Sequence, residues 1–133
     1  MSTKPSGAWR AAVVLLTVLS LAAIIPRPAA AADYAAGVAA FDRGDYDTAF
    51  SILRGLAEKG DPKAHNWFLM GATRGAPRVQ FELAQMYLTG RGFPKDEARA
   101  ARWFGLAAQQ GFLPAQYTLA RLYLKGRGVP RDV

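Results

Sequence analysis

No cysteine occurs in this chain of 133 residues, and His65 is its only histidine. Without thiols there is no disulfide framework, no thiolate zinc site, no iron–sulfur cluster and no cysteine nucleophile. A lone imidazole removes the histidine clusters that most metal sites and acid–base pairs require. His65 has only Glu58 and Asp61 near it in sequence, short of the three or four ligands zinc takes, so a partly exposed helical histidine is expected. Beyond residue 32 the only serine is Ser51, and it falls in a different predicted helix from His65. A hydrolase triad therefore has no source. No catalytic, cofactor-binding or metal-binding residue is expected. Glycine (13) and proline (8) are too scarce for a low-complexity chain, while 51% apolar and 20% charged residues match a folded one. The length fits one ordinary domain.

The N-terminus differs from the rest. Lys4 and Arg10 stand in a start with no acid, Ala11 to Ile25 is apolar apart from Thr17 and Ser20, and Pro26-Arg27-Pro28 precedes four alanines. A basic start, a short apolar middle and a small-residue exit form a secretory signal peptide. The run of 15 residues is shorter than the ~20 needed to cross a bilayer, so no stable membrane span is expected after cleavage. Residues 1–32 are read as the signal segment, cut after Ala32, with a retained anchor as the alternative. The mature chain, 33–133, would then be periplasmic or secreted from a bacterial cell. Lys4, Arg10 and Arg27 leave with the signal, so 14 basic residues face 10 acids and the net charge drops from +7 to +4. A nucleic-acid partner loses its main support.

What remains is periodic. A shift of 36 residues lays Trp67–Glu97 over Trp103–Val133 with 14 identities in 31 positions, among them Trp67/Trp103, Phe68/Phe104, Gln80/Gln116 and Tyr87/Tyr123. Within each unit Val79, Leu83, Met86 and Tyr87, and then Ala115, Leu119, Leu122 and Tyr123, recur at i, i+4, i+7 and i+8. Such spacing makes one buried helix stripe. A second stripe runs through Ala100, Phe104, Ala107 and Ala108. The recurrence of the aromatics on packing stripes makes them core residues rather than stacking platforms for bases. Gly90-Arg91-Gly92 and Gly126-Arg127-Gly128 follow helices instead of preceding them, so they are read as caps and not as phosphate cradles. Asp96 and Glu97 sit at a helix start, where the dipole favours acids. Two helices and a glycine turn every 36 residues predict an all-α fold, an α/α solenoid of antiparallel helix pairs preceded by the signal helix.

The run Leu-Ala-x-x-Tyr-Leu-x-Gly-x-Gly-[Phe/Val]-Pro-x-Asp, followed by Ala-x-x-Trp-Phe-x-x-Ala-Ala-x-x-Gly, resembles the Sel-one-like repeat, a relative of the tetratricopeptide repeat. The match covers Leu83 to Gly111 as a full unit and Leu119 to Asp132 as a partial one. The resemblance implies a superhelical scaffold that binds proteins or peptides, usually within larger complexes, with no chemistry of its own. A cysteine-rich branch of that family is linked to cell-wall chemistry. This chain has neither cysteine nor a nucleophile–base pair to support that alternative.

Expected helices are Asp33–Arg43, Tyr46–Lys59, Pro62–Thr73, Pro77–Thr89, Asp96–Gln110 and Pro114–Lys125, about two and a half units. Asp33, Asp45 and Asp61 are expected to start helices by accepting orphan amide protons. Two departures stand out. Gly60 to Gly75 spans 15 residues where Gly75 to Gly111 spans 36, which suggests that about 21 residues of a repeat are missing and that one hybrid helix packs irregularly around His65–Arg74. The sequence also stops at Val133, where a second helix of the last unit would begin. Either the chain is a fragment of a longer array, the preferred reading, or a partner or second copy covers the incomplete last repeat. The predicted partner contacts are the polar positions on the first helix of each unit, lining the concave face: Gln80, Glu82, Gln85, Gln116, Thr118 and Arg121.

Overall fold

Aspartate or proline opens most of the helices and glycine closes them. The computed structural model describes residues 29–128, and among these there are six α-helices and no strand. They are α1 (Ala29–Asp42), α2 (Tyr46–Glu58), α3 (Pro62–Thr73), α4 (Pro77–Thr89), α5 (Glu97–Gln109) and α6 (Leu113–Lys125). The signal-peptide reading of residues 1–28 and the tail 129–133 lie outside the described residues. Asp45, Asp61 and Asp96 accept the backbone N–H of Thr48, Lys63 and Arg99 at 3.3, 2.8 and 3.0 Å, capping α2, α3 and α5. α4 and α6 instead carry proline in the first turn, where a missing N–H costs nothing. Asp33 is not a helix start. α1 begins four residues earlier, at Ala29, and Asp33 is exposed inside it.

Most of the helices share one way of ending. α1, α3 and α5 end alike: Gly44, Gly75 and Gly111 donate to the carbonyls of Phe41, Ala72 and Ala108, and the next residue donates to Ala40, Gly71 and Ala107. This paired closure needs a left-handed glycine, and the three have φ of 81°, 93° and 83°. α4 and α6 are the first helices of their pairs and end at Gly90 and Gly126 with φ of 74° and 62°. α2 closes in the same paired way as α1, α3 and α5, with Gly60 donating to the Ala57 carbonyl and Asp61 to that of Leu56, and the stretch from Gly60 to Gly75 holds the single helix α3. Each of those glycines closes a single helix. Three residues (Lys59–Asp61) join α2 to α3 where seven (Gly90–Asp96) join α4 to α5.

One apolar core runs through the stack. Leu53, Phe68, Leu83 and Phe104 are completely buried, and Ala64, Ala84, Ala100 and Ala115 let the axes approach. Gly71 makes the α3–α4 crossing possible, since a Cβ there would lie 2.9 Å from a methyl of Val79. Phe81 meets Phe104 and Phe112 edge-on at ring separations of 5.5 and 5.4 Å, tying α4 to α5 and to the entry of α6.

Trp67 and Trp103 occupy equivalent positions in different surroundings. Trp67 stands edge-on to Phe41 at 5.0 Å and to Phe50 at 6.3 Å. No such ring partner flanks Trp103 among the described residues. The difference originates in α1. Counting seven residues back from the closing glycine, α3 and α5 have Trp67-Phe68 and Trp103-Phe104, whereas α1 has Ala36-Gly37. Gly37 lets α1 settle on α2, because a Cβ there would meet Leu53 Cγ at 2.8 Å. Toward α1, α3 meets the Phe41 ring through Trp67.

Candidate functional site

The long connection from α4 to α5 is held down from three sides. Gly92 packs so closely that a Cβ would come 2.5 Å from Met86 Cε and 3.3 Å from Ala57 Cβ. Arg91 reaches Glu58 at 3.2 Å. One ring nitrogen of His65 lies 2.9 Å from the carbonyl oxygen of Asp61 and the other against that of Gly92, while Phe93 meets the ring edge-on at 4.8 Å. His65 is thus a half-buried structural clasp. The second glycine turn docks in the same sense: Arg127 donates to Glu97 Oε1 from Nη2 at 2.7 Å and from Nε at 3.1 Å, and Gly128 lies against the Glu97 carbonyl. The Arg127 hydrogen bond holds the Glu97 carboxyl below the usual carboxylate range, with the charges of Arg127 and Lys95 adding to the effect. Both Gly-Arg-Gly turns are caps that also fasten one unit to the one before it.

The six polar residues expected to contact a partner divide in the structure. Gln80 does not point outward: it is 3% exposed, and its amide donates to the Ala72 carbonyl at 3.0 Å and accepts from Gln110 at 2.8 Å. A buried amide needs those partners, so the expectation of a free Gln80 is corrected. Gln116 is exposed yet repeats the first bond, donating to Ala108 at 3.0 Å. Glu82 is largely enclosed, paired with Arg54 of α2 at 3.5 Å, and its Oε2 receives no hydrogen bond from the described residues. Burial pushes its carboxyl up, Arg54 pulls it down, and Asp47 adds a smaller upward push. Thr118 returns its hydroxyl to the Pro114 carbonyl at 2.8 Å. Gln85 is half-buried, and Arg121 is exposed with its guanidinium 5.8 Å from the centre of the Tyr117 ring. Tyr117 itself, 67% exposed, was not among the predicted residues. Its place between Gln116 and Thr118 could have suggested it.

A second concavity lies between α1 and α3, a groove of about 660 Å³. Tyr34 and Phe41 of α1 face Trp67 and Met70 of α3 across it, and Lys63, Asn66 and Arg74 of α3 and Asp42 of α1 supply its polar edge. The sequence did not point to this groove. No helix among the described residues is long and apolar enough to cross a membrane.

The comparisons with known proteins agree with this architecture. The Sel1 repeat family model matches residues 30–75, 77–112 and 113–133. The first match takes in α1, α2 and α3 together. The chain belongs to the Sel1 repeat family, whose members are generally protein-interaction scaffolds. It is similar to a Sel1 repeat protein from Oxalobacter formigenes of known crystal structure, with 37% identity and a TM-score of 0.54 over 76% of this chain and 80% of that one. It is also similar to c5321, described as a protective antigen of uropathogenic Escherichia coli strains displaying an SLR fold. That likeness has 29% identity and a TM-score of 0.50, covering 77% of this chain and 27% of that larger one. No curated protein matches.

Proposed function

We propose that the chain is exported and serves in the periplasm or outside the cell as an interaction scaffold without chemistry of its own. It takes a protein or peptide along the concave face formed by the first helices α2, α4 and α6. The basic, apolar and then alanine-rich order of residues 1–32 supports export. The observation that carries the binding reading is the outward strip of α6, where exposed Tyr117 and Arg121 stand together. Tyrosine and arginine are the side chains that most often dominate binding energy at protein interfaces. Gln85 of the neighbouring first helix extends the strip. Gln80, Glu82 and Gln116 support it from within through bonds to neighbouring helices.

The test combines location with contact. The full chain, expressed in its native host with a photo-cross-linking amino acid at position 85 or 121, is fractionated, and its N-terminus is sequenced. The expected result is an envelope or extracellular chain beginning at Asp33, with protein adducts at positions 85 and 121 that are absent when the probe replaces exposed Lys59. An unprocessed cytosolic chain overturns export. Adducts no stronger than those at position 59 overturn the binding face.

A further inference from the structure

The groove between α1 and α3 has a chemistry of its own. Lys63, Asn66, Trp67, Met70 and Arg74 fall at i, i+3, i+4, i+7 and i+11, a single stripe of α3. Met70 is 48% exposed, and Trp67, backed by Phe41 and Phe50, presents part of its ring to the groove. A stripe with an exposed apolar centre needs a reason in a helix that is otherwise well packed. The charges point to one. Ion pairs in the structure engage Arg54, Arg91, Lys95, Arg99 and Arg127. Neither Lys63 nor Arg74 has a carboxylate within 4 Å among the described residues. With Asp42 as the groove's single acid, its two cations leave it net positive.

We propose that this groove binds an extended acidic peptide segment of a partner protein, with an apolar side chain seated on Trp67 and Met70 and a carboxylate on either side of it. The geometry sets the form of the occupant. Eleven helical residues place Lys63 and Arg74 ~16 Å apart along α3. An extended chain rises ~3.3 Å per residue, so the two carboxylates belong about five residues apart. A lipid offers one charged end and a tail, which leaves the second cation unmatched. The Asn66 amide, between the two cations, suits the backbone of such a segment, since it both donates and accepts. This inference rests on the scaffold reading but uses different helices from the Tyr117–Arg121 strip.

The test titrates the full chain with the capped hexapeptide Glu-Ser-Leu-Phe-Ser-Glu while following tryptophan fluorescence and heat. Saturable binding that weakens with added salt is expected. The Lys63→Glu/Arg74→Glu variant changes exposed side chains only, and circular dichroism verifies that it is folded. It should lose at least tenfold in affinity and should prefer Lys-Ser-Leu-Phe-Ser-Lys. Equal affinity in wild type and variant overturns the proposal, as does the absence of binding by either peptide. Binding of anionic vesicles in place of the peptide, abolished by the same variant, also overturns it in favour of a lipid site. In each of those cases cross-links at position 121 would leave the scaffold reading standing.

Discussion

Gln80 donates its side-chain amide to the carbonyl of Ala72, and 36 residues later Gln116 makes the same 3.0 Å bond to Ala108. In both, the first helix of one unit reaches back to the last turn of the second helix before it. The period seen in the sequence is therefore a repeated contact between units as well as a repeated fold. Gln80 has a further partner, Gln110, and is buried, whereas Gln116 is exposed. Replacing Gln80 with alanine should cost ~1–3 kcal/mol, because the buried Ala72 carbonyl loses its partner and the Gln110 amide loses a bond. Gln116→Ala should stay within about 0.5 kcal/mol, as expected of an exposed site. Urea midpoints of the two variants measure the difference.

Much of the fold was legible because the local signals are strong. Aspartate at the starts of α2, α3 and α5, proline in the first turns of α4 and α6, and glycine at the ends fix five of the six helices before any packing is considered, while the start of α1 was missed. How the helices pair was less legible. Gly60 and Gly75 look like repeat boundaries, yet glycine closes every kind of helix here, so their spacing measures one helix and not one unit. Gln80 looked like a surface residue because its type is polar. Only the packed neighbours reveal that the Ala72 carbonyl and the Gln110 amide wait for it. The groove was invisible because it forms only where Tyr34 and Phe41 of α1 come to face Trp67 and Met70 of α3, residues far apart in the sequence.

Gly92 and Gly60 share a φ of +85°, but only Gly92 is enclosed, by Met86 and Ala57. Alanine at position 60 should cost the left-handed strain alone, ~1–2 kcal/mol. Alanine at position 92 should cost a further ~1–3 kcal/mol for overpacking against Met86. Thermal melts of the two variants should rank them in that order, and Met86→Ala should narrow the gap while lowering the baseline.

Glu82 titrates above the ordinary carboxylate range because burial outweighs Arg54. An acid whose folded value is raised stabilises the fold when protonated, below its unfolded value, and that contribution is lost as pH rises through the folded value. Glu82→Gln should therefore gain in melting temperature relative to wild type between pH 4 and pH 7, by a few degrees at most. A parallel pair of melting curves across that window checks the sign.

Glu97 behaves in the opposite sense. Its carboxyl is held low, first by the hydrogen bond from Arg127. The resulting stabilisation is present above the unfolded carboxylate value and disappears as pH falls through the lowered one. Wild type should lose more stability than Arg127→Gln on acidification from pH 5 to pH 3. High salt at neutral pH should shrink the difference, because the pair is partly exposed. Amide exchange at Gly126 and Arg127 reads the release of the turn directly.

The binding strip itself is tested most directly at Arg121, whose guanidinium lies over Tyr117 at the surface of α6. Once a partner has been captured by cross-linking at position 121, its affinity for the full chain is measured by calorimetry with and without Arg121→Glu. A loss of at least tenfold, about 1.4 kcal/mol, with unchanged melting temperature is the predicted result. An affinity equal to that of wild type would contradict a docking surface on the first helices.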